Sequence, residues 1–272
     1  VCLVGSEMCI RDRLQGKRGL IMGVANERSI AWGIAKSMSG EGAELAFTYQ
    51  GEAFGSRLAP LAASVGSDLL FELDVADDAS FETTFDSLSG HWNSLDFIVH
   101  AIAYSDKNEL TGRFLHTSRE NFKNTLDISS YSLIEVARRA YPLMMEKGGT
   151  VLTLTYQGSN RVTPFYNVMG VAKAALEATT RYLANDLGPS GIRVNAISPG
   201  PMRTLAGAAI GGARRTFKHT EVNSPLRSNA TLDAVGGTAV YLASDAGAYT
   251  TGEVLYVDGG YHVLGMPQAD NV

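Results

Sequence analysis

The stretch Arg18–Glu41, RGLIMGVANERSIAWGIAKSMSGE, contains the pattern from which the fold of the chain follows. Its apolar run predicts a strand over Arg18–Val24, and the apolar spacing of its second half predicts a helix over Ile30–Glu41. Gly23 and Gly33 bracket the turn between the two. A strand that passes through a short turn into a helix is typical of parallel sheets, because parallel strands need a long crossover connection.

The same alternation continues along the chain. Further apolar runs lie at Ala43–Thr48, Asp68–Leu73, Leu95–His100, Thr150–Leu154, Ile192–Ile197 and Glu253–Val257. We expect eight short strands in total, these seven and one more that the apolar runs do not place, interleaved with helices. This pattern predicts a single α/β domain with a Rossmann-like, doubly wound parallel β-sheet flanked by helices. Ligands are then expected at the carboxyl ends of the strands.

Length and composition narrow the class of protein further. A chain of 272 residues with 45% hydrophobic content can form a sizeable core. No apolar run approaches the ~18 residues that span a bilayer, so we expect a soluble protein without a membrane partner. The formal net charge of −5 argues against nucleic acid as a partner. We place the domain at residues 14–262 and a C-terminal tail at residues 263–272.

Both cysteines, Cys2 and Cys9, lie in residues 1–13. This segment has neither an initiator Met nor the apolar core of a secretory signal. We interpret it as a non-native or disordered extension; a genuine N-terminal arm is the alternative. The rest of the chain has no cysteine for a disulfide, and its five scattered histidines lack ligand spacing, so we predict no metal site.

The turn after the first predicted strand is similar to the Gly-x-Gly-x-x-Gly pattern of dinucleotide-binding proteins without matching it. Gly23 permits a tight turn, and Ser29 and Ile30 stand at the start of the helix, whose N–H groups could hold a pyrophosphate. Gly33 is expected to let the helix pack closely on the sheet. The alternative is an ordinary strand-to-helix turn that happens to contain glycines.

The ends of the second and third strands indicate which dinucleotide is bound. Gln50 and Glu52 follow the second strand, where a 2′-phosphate would meet a carboxylate instead of Arg or Lys, so the sequence favours NADH over NADPH. Asp74 and Val75 follow the third strand and are placed to flank an adenine. The alternative role of Asp74 is a helix cap.

The fourth strand ends in small residues, from Ala101 and Ile102 to Ser105. Small side chains at this place would let a flat cofactor approach the backbone. Packing alone could require the same residues, so both interpretations stay open.

The segment Thr153–Lys173 combines acid and base groups at a strand end and a helix start. Tyr156 leaves the strand, and Tyr166 precedes a helix for which Asn167 is the predicted cap. Seven residues make nearly two helical turns, so Tyr166 and Lys173 face the same side. The ammonium is expected to lower the pKa of the phenol and make it a proton donor near neutral pH. Purely structural roles are the alternative.

Together, the motifs from about Leu14 to Tyr261 resemble the short-chain dehydrogenase/reductase superfamily. Within it they resemble the NADH-dependent enoyl-[acyl-carrier-protein] reductases of bacterial type II fatty acid synthesis. The matching motifs are Gly23-x5-Ser29-Ile30, Tyr49-Gln50, Asp74-Val75, Tyr156-x9-Tyr166-x6-Lys173, Gly200-Pro201-Met202-Arg203-Thr204-Leu205-Ala206 and Val257-Asp258-Gly259-Gly260.

The resemblance implies hydride transfer from NADH to the β-carbon of a trans-2-enoyl thioester carried by acyl carrier protein. It implies that Tyr166 binds the enolate oxygen and that Lys173 holds the nicotinamide ribose. Tyr156 would line the acyl pocket or join proton delivery. The implied cofactor-binding residues are Gly23, Ser29, Ile30, Gln50, Asp74, Val75, Ile102, Lys173, Met202, Arg203, Thr204, Leu205 and Ala206, and the implied substrate-binding residues are Ser105, Tyr156 and Met169.

The sequence can be compared with two other classes of function. Ketone reductases of the superfamily resemble Ser…Tyr-x3-Lys, with the serine thirteen residues before the tyrosine. Counting back from Lys173 places Met169 at that tyrosine and Tyr156 at that serine, so ketone reduction by this triad is disfavoured. Reduction of another activated alkene stays open. A catalytically silent dinucleotide-binding protein should have lost Tyr166 or Lys173, yet both are present.

The resemblance also implies a cytoplasmic homotetramer, with the helices around Asn121–Met145 and Asn167–Leu187 in the main subunit contact. It implies that Ser198–Asn223 is a loop that wraps the nicotinamide and then covers the acyl chain as a mobile lid. Its small residues and weak helical periodicity fit this role.

Arg214, Arg215 and Lys218 form a basic cluster within that segment of an acidic protein. We hypothesise that this cluster docks the acidic acyl carrier protein. A solvated helix face is the alternative.

Overall fold

The computed structural model describes residues 13–208 and 211–271 of the chain. The strands are β1 Arg18–Met22, β2 Glu44–Tyr49, β3 Leu70–Glu72, β4 Phe97–His100, β5 Gly149–Leu154, β6 Ile192–Pro199 and β7 Val254–Val257. They form one parallel sheet in the order β3-β2-β1-β4-β5-β6-β7. The expected eighth strand is absent from the described residues, because no other segment there pairs with either edge of the sheet. Residues 1–12, with both cysteines, lie outside the described residues.

Helices join the strands on both faces of the sheet. They are α1 Ile30–Gly40, α2 Glu52–Ser64, α3 Asp78–His91, α4 Lys107–Leu110, α5 Arg119–Leu126, α6 Ser132–Met144, α7 Asn167–Leu187, α8 Leu205–Ala208, α9 Ala213–Asn223 and α10 Leu232–Ala243. One π-helical turn, Asp127–Tyr131, joins α5 to α6.

The segment Ser198–Asn223 differs from its prediction as an irregular loop. Ser198 and Pro199 complete β6, and α8 and α9 occupy much of the remainder. The prediction was wrong because the Ala, Arg and Lys residues of α9 have high helix propensity, which a search for apolar periodicity overlooks.

Alternating strand residues supply two cores, one on each face of the sheet. Ile21, Phe97 and Val99 point to the core under α1, α2 and α10. Leu20 and Ile98 point to the opposite core, under α3, α6 and α7. A sheet buried on both faces in this way is the predicted Rossmann-like, doubly wound α/β fold, which is confirmed.

Gly33 has a different role from the one predicted. A Cβ at Gly33 would lie 2.8 Å from Cβ of Leu232, so this glycine lets α1 pack closely on α10 and not on the sheet. A Cβ at Gly236 would lie 2.7 Å from Cβ of Ser37 and 3.0 Å from the carbonyl oxygen of Gly33. The two helices therefore meet nearly backbone to backbone.

We expect Gly236→Ala to destabilise the protein by about 1–3 kcal/mol, because α1 and α10 must move apart to admit the methyl group. The matched control is Gly237→Ala on the same helix, where a Cβ meets nothing within 4 Å. Since alanine favours helix over glycine, this control should gain up to about 1 kcal/mol. Urea unfolding measures both, and equal free energies of unfolding would contradict the close packing.

The strand order places the site. From β1 the chain adds β2 and β3 on one side, and it then adds β4 on the other side of β1. The connections that leave the carboxyl ends of β1 and β4 therefore run in opposite directions and open a crevice between them. The segments that follow β5 and β6 begin at the same edge of the sheet. Across the described residues, no helix combines the length and apolar character that a membrane span requires.

Candidate active site

The first turn brings two strand ends unusually close together. Gly23 has φ +91°, and a Cβ there would lie 2.1 Å from the carbonyl oxygen of Ala101, so only glycine fits. Ser29 is buried, and its Oγ accepts hydrogen bonds of 3.0 Å from the N–H groups of Ala25 and Asn26. Its side chain therefore does not cap α1. A helix that begins without a side-chain cap can accept an anion at its first N–H groups, which fits a pyrophosphate.

The second and third strands end beside this turn. Gln50 is exposed directly after β2. Asp74 and Val75 are half-buried after β3, and Asp74 Oδ1 accepts a hydrogen bond from the N–H of Ala76. The cap of α3 is Asp77, which accepts from the N–H of Ala79, so the alternative role of Asp74 as that cap is excluded.

The segment after β4 is held by the helices that follow it. Ile102 and Ser105 are both half-buried. Ser105 Oγ donates to Asn121 Oδ1 at 3.3 Å and accepts from Thr125 Oγ1 at 3.0 Å. The hydroxyl that was assigned to the substrate is thus tied to α5.

Tyr156 and Tyr166 meet at the carboxyl end of β5. Their rings form an edge-on pair with centroids 5.1 Å apart. A Cβ at Gly158 would lie 2.4 Å from Cδ1 of Tyr166, and a Cβ at Gly170 would lie 2.7 Å from the carbonyl oxygen of Gly158. Two glycines, neither of them predicted, therefore make the space for the ring of Tyr166. Met169, which is buried, packs in the same cluster.

The start of α7 departs from the prediction. Asn167 does not cap the helix, because its Nδ2 donates instead to the carbonyl oxygens of Glu109, Leu110 and Gly112 at 3.0–3.2 Å. Phe165 has φ +63° and Asn167 has φ +39°, both in the left-handed region. Tyr166 therefore lies between two residues with unfavourable backbone conformations. Backbone strain of this kind is common at functional sites.

Lys173 is buried, and its Nζ donates a hydrogen bond of 2.7 Å to the carbonyl oxygen of Leu154. Burial lowers the pKa of Lys173 to about 8, while the charge of Glu177 opposes this shift. Burial also raises the pKa of Tyr166 above its usual value, and Tyr156 and Glu177 raise it further. The expected lowering of the phenol pKa by Lys173 is therefore wrong, because desolvation dominates. Tyr166 keeps its proton at neutral pH all the same.

His100 is fully buried at the end of β4. Its Nδ1 lies 3.1 Å from Thr153 Oγ1 and its Nε2 lies 2.8 Å from Ser132 Oγ, which donates to the carbonyl oxygen of Ile128. Burial, with a smaller contribution from Lys173, lowers the pKa of His100 to about 3, so the ring is neutral. It anchors the π-helical turn beside the site.

The segment after β6 packs against the core and against α9. Met202 is half-buried against the core, and Thr204 Oγ1 accepts a hydrogen bond of 2.9 Å from the N–H of Gly207. The guanidinium of Arg203 lies 4.5 Å from the ring centroid of Phe217 on α9. Leu205 opens α8 with an exposed side chain. The side chain of Ala206 lies outside the described residues.

Known proteins are similar to this chain in sequence and in fold. The family model for enoyl-(acyl carrier protein) reductase matches residues 23–262. An enoyl-[acyl-carrier-protein] reductase [NADH] of Rhizobium meliloti (strain 1021) is 59% identical over 254 residues, which cover 93% of this chain and 94% of that protein. One of Aquifex aeolicus (strain VF5) is 50% identical over 253 residues, with coverage of 93% and 94%.

Solved structures agree with these sequence matches. The reductase of Anaplasma phagocytophilum in complex with NAD has a TM-score of 0.91 and 53% identity, covering 94% of this chain and 98% of that chain. The Bacillus cereus enzyme with NADP⁺ and an indole naphthyridinone has a TM-score of 0.91 and 46% identity, covering 94% and 100%.

Proposed function

The chain belongs to the enoyl-(acyl carrier protein) reductase family, and from this premise we propose how its described residues divide the reaction among themselves. It is an oxidoreductase that uses NADH to reduce the carbon–carbon double bond of an enoyl-[acyl-carrier-protein] in fatty acid synthesis. The family and the NADH cofactor predicted from the sequence are confirmed.

The proposal rests on the burial and position of Tyr166 and Lys173. Tyr166, directly before α7, and Lys173, seven residues later on α7, are both buried at the carboxyl edge of the sheet beside the β1–β4 crevice. A buried phenol that keeps its proton is a hydrogen-bond donor for a developing negative charge. A buried ammonium with a pKa of about 8 carries its charge at neutral pH.

The chain's residues stabilise the substrate while NADH, when bound, supplies a hydride to the β-carbon of the trans-2-enoyl thioester. The π electrons of the double bond would form a new double bond between the α-carbon and the carbonyl carbon, and the π electrons of the carbonyl group would move to its oxygen. Tyr166 would donate a hydrogen bond to the enolate oxygen so formed. A preorganised donor of this kind is worth about 3–4 kcal/mol of barrier. Lys173 holds the ribose hydroxyls and adds positive potential. A proton delivered to the α-carbon completes the saturated thioester.

Tyr156 has two possible roles. Its ring lies edge-on to Tyr166, a position suited to lining the acyl pocket or to passing a proton. Burial raises its pKa, so its hydroxyl is also protonated at neutral pH. We propose Ser105 and Met169 as further substrate-binding residues.

We propose that the first turn holds the cofactor, because α1 begins without a side-chain cap and Gly23 lets this turn pass close to Ala101 at the end of β4. The pyrophosphate would lie on Gly23, Ser29 and Ile30, and the ribose and adenine on Gln50, Asp74 and Val75. The nicotinamide end would contact Ile102, Lys173, Met202, Arg203, Thr204, Leu205 and Ala206.

The test compares crotonyl and acetoacetyl thioesters with NADH and NADPH, following the loss of reduced-nicotinamide absorbance. We expect oxidation of NADH with the crotonyl substrate alone. Activity on the acetoacetyl substrate would place the chain among ketone reductases. No turnover with either would favour a binding protein or another activated alkene.

Acyl carrier protein is the expected donor of the acyl chain, and we propose α9 as its docking surface. Arg214, Arg215 and Lys218 are exposed on this helix. Among the described residues, only Lys218 of the three forms an ion pair, with Glu221 at 2.9 Å. Two arginines are thus left to attract an acidic partner.

Charge reversal at Arg214 and Arg215 should raise KM for the carrier-bound substrate about tenfold, which corresponds to ~1.4 kcal/mol. KM for a short coenzyme A thioester should not change. Lys36→Glu, at an exposed position on α1, is the matched charge control and should affect neither substrate. Added salt should shrink the difference. Equal effects on both substrates would remove the docking assignment.

We also propose a cytoplasmic homotetramer built on the helices around Asn121–Met145 and Asn167–Leu187. A groove on this face is lined by Phe122, Leu126, Tyr131 and Ile134 together with the polar residues Lys123, Asn124, Asp127 and Ser130. Phe122 and Tyr131 are exposed although they are large and apolar, as is Tyr182 on α7. Such a surface favours burial against another subunit. Light scattering of the purified protein gives the number of subunits, and a monomer would contradict the proposal.

A further inference from the structure

A second buried charge lies one helical turn after Lys173. Glu177 is 9% exposed, and its Oε1 accepts a hydrogen bond of 2.7 Å from Thr155 Oγ1. Burying a carboxylate is costly unless hydrogen bonds and opposite charge compensate for the lost water. Thr155 supplies the hydrogen bond, and Lys173, four residues earlier on the same face of α7, supplies the opposite charge. The reaction described above makes no use of this carboxylate.

Two hydrogen bonds tie the end of β5 to this face of α7. Lys173 Nζ donates to the carbonyl oxygen of Leu154, and Thr155 Oγ1 donates to Glu177 Oε1, both at 2.7 Å. Leu154, Thr155 and Tyr156 are consecutive, so the bonds fix where Tyr156 stands relative to the helix that carries Tyr166 and Lys173.

Glu177 also affects the pKa of Lys173. The titratable groups that interact with the ammonium are Glu177 on α7 and the neutral His100 at the end of β4. Glu177 is the one acid among these groups. Its charge raises the pKa of Lys173 while burial lowers it.

We propose that Glu177 is a positioning residue that fixes α7 to the end of β5 through Thr155, beside the bond from Lys173 to Leu154, and keeps the Lys173 ammonium charged. This inference rests on the role proposed above for Lys173. Without the carboxylate, the buried ammonium would lose its proton at a lower pH.

The test is Glu177→Gln, which keeps an oxygen for Thr155 and removes only the charge. Lys173 is titrated in the full chain by NMR of ¹³Cε-labelled lysine, with Lys173→Met to assign its signal. We expect a midpoint near the pKa of about 8 in the wild type and one about one pH unit lower in Glu177→Gln. The alkaline limb of kcat/KM should move by the same amount, while the value at low pH stays close to wild type.

Two variants complete the comparison. Glu177→Asp keeps the charge and should restore the wild-type midpoint. Asp186→Asn makes the same change of charge at an exposed position on α7 and should shift nothing. If Glu177→Gln does not fold, Thr155→Val takes over the test, because it releases the carboxylate from the strand and should raise KM for NADH several-fold.

An unchanged Lys173 midpoint in Glu177→Gln overturns the proposal, as does an equal loss of activity at every pH. With Thr155→Val, an unchanged KM for NADH overturns it. A shifted midpoint that the activity profile does not follow supports the role of Glu177 and instead overturns the role of Lys173 in the reaction.

Discussion

Replacing Tyr166 with phenylalanine is expected to lower kcat for a crotonyl thioester by a factor on the order of 100 to 1,000. The ring should keep its place, because it packs edge-on against Tyr156 with centroids 5.1 Å apart. Only the hydroxyl is lost, and burial keeps that hydroxyl protonated by raising its pKa. KM for NADH should stay nearly constant, since this hydroxyl acts on the substrate oxygen. Steady-state kinetics with varied NADH measures both constants.

The matched control removes the other hydroxyl of the aromatic pair. If Tyr156 only lines the acyl pocket, Tyr156→Phe should change KM for the thioester and leave kcat near the wild-type value. If Tyr156 passes a proton, kcat should fall and its solvent isotope effect should change. A Tyr166→Phe enzyme with wild-type kcat would contradict the assignment of the donor.

Much of the fold followed from local pattern. Apolar runs marked all seven strands, because a strand buried on both faces needs a continuous apolar segment. Gly23 could be assigned to the first turn because the left-handed conformation there requires glycine. Helical geometry predicts that Tyr166 and Lys173 lie on the same side, and both side chains are buried.

Helical spacing predicts the side of a helix on which a side chain lies, but not how deeply that side chain is buried. The pKa of Tyr166 was predicted in the wrong direction, since depth decides how strongly desolvation acts. The partners of Asn167 lie 55 to 58 residues earlier in the chain, and that of Glu177 lies 22 residues earlier. No local pattern specifies such pairs. Gly33 was assigned to the wrong neighbour for the same reason, because Leu232 is almost 200 residues away.

The second large effect is expected from Gly158→Ala. The added Cβ would lie 2.4 Å from Cδ1 and 2.8 Å from Cε1 of Tyr166, so the ring must move. The turn cannot retreat, because a Cβ at Gly170 would already lie 2.7 Å from the carbonyl oxygen of Gly158. A misplacement of about 1 Å at a reacting group can cost on the order of 100-fold in rate. We therefore expect kcat to fall by about 10- to 100-fold.

The same substitution in the Tyr166→Phe enzyme shows whether Gly158 acts through the hydroxyl of Tyr166. Once Tyr166→Phe has removed the hydroxyl, Gly158→Ala should cost little further activity, because both changes disable the same hydrogen bond. Gly112→Ala, at a position where a Cβ meets nothing within 4 Å, is the control and should retain wild-type kcat. Thermal unfolding of each variant separates misplacement of the ring from loss of the fold. Losses that multiply in the double variant would mean that Gly158 serves the reaction by a route independent of Tyr166.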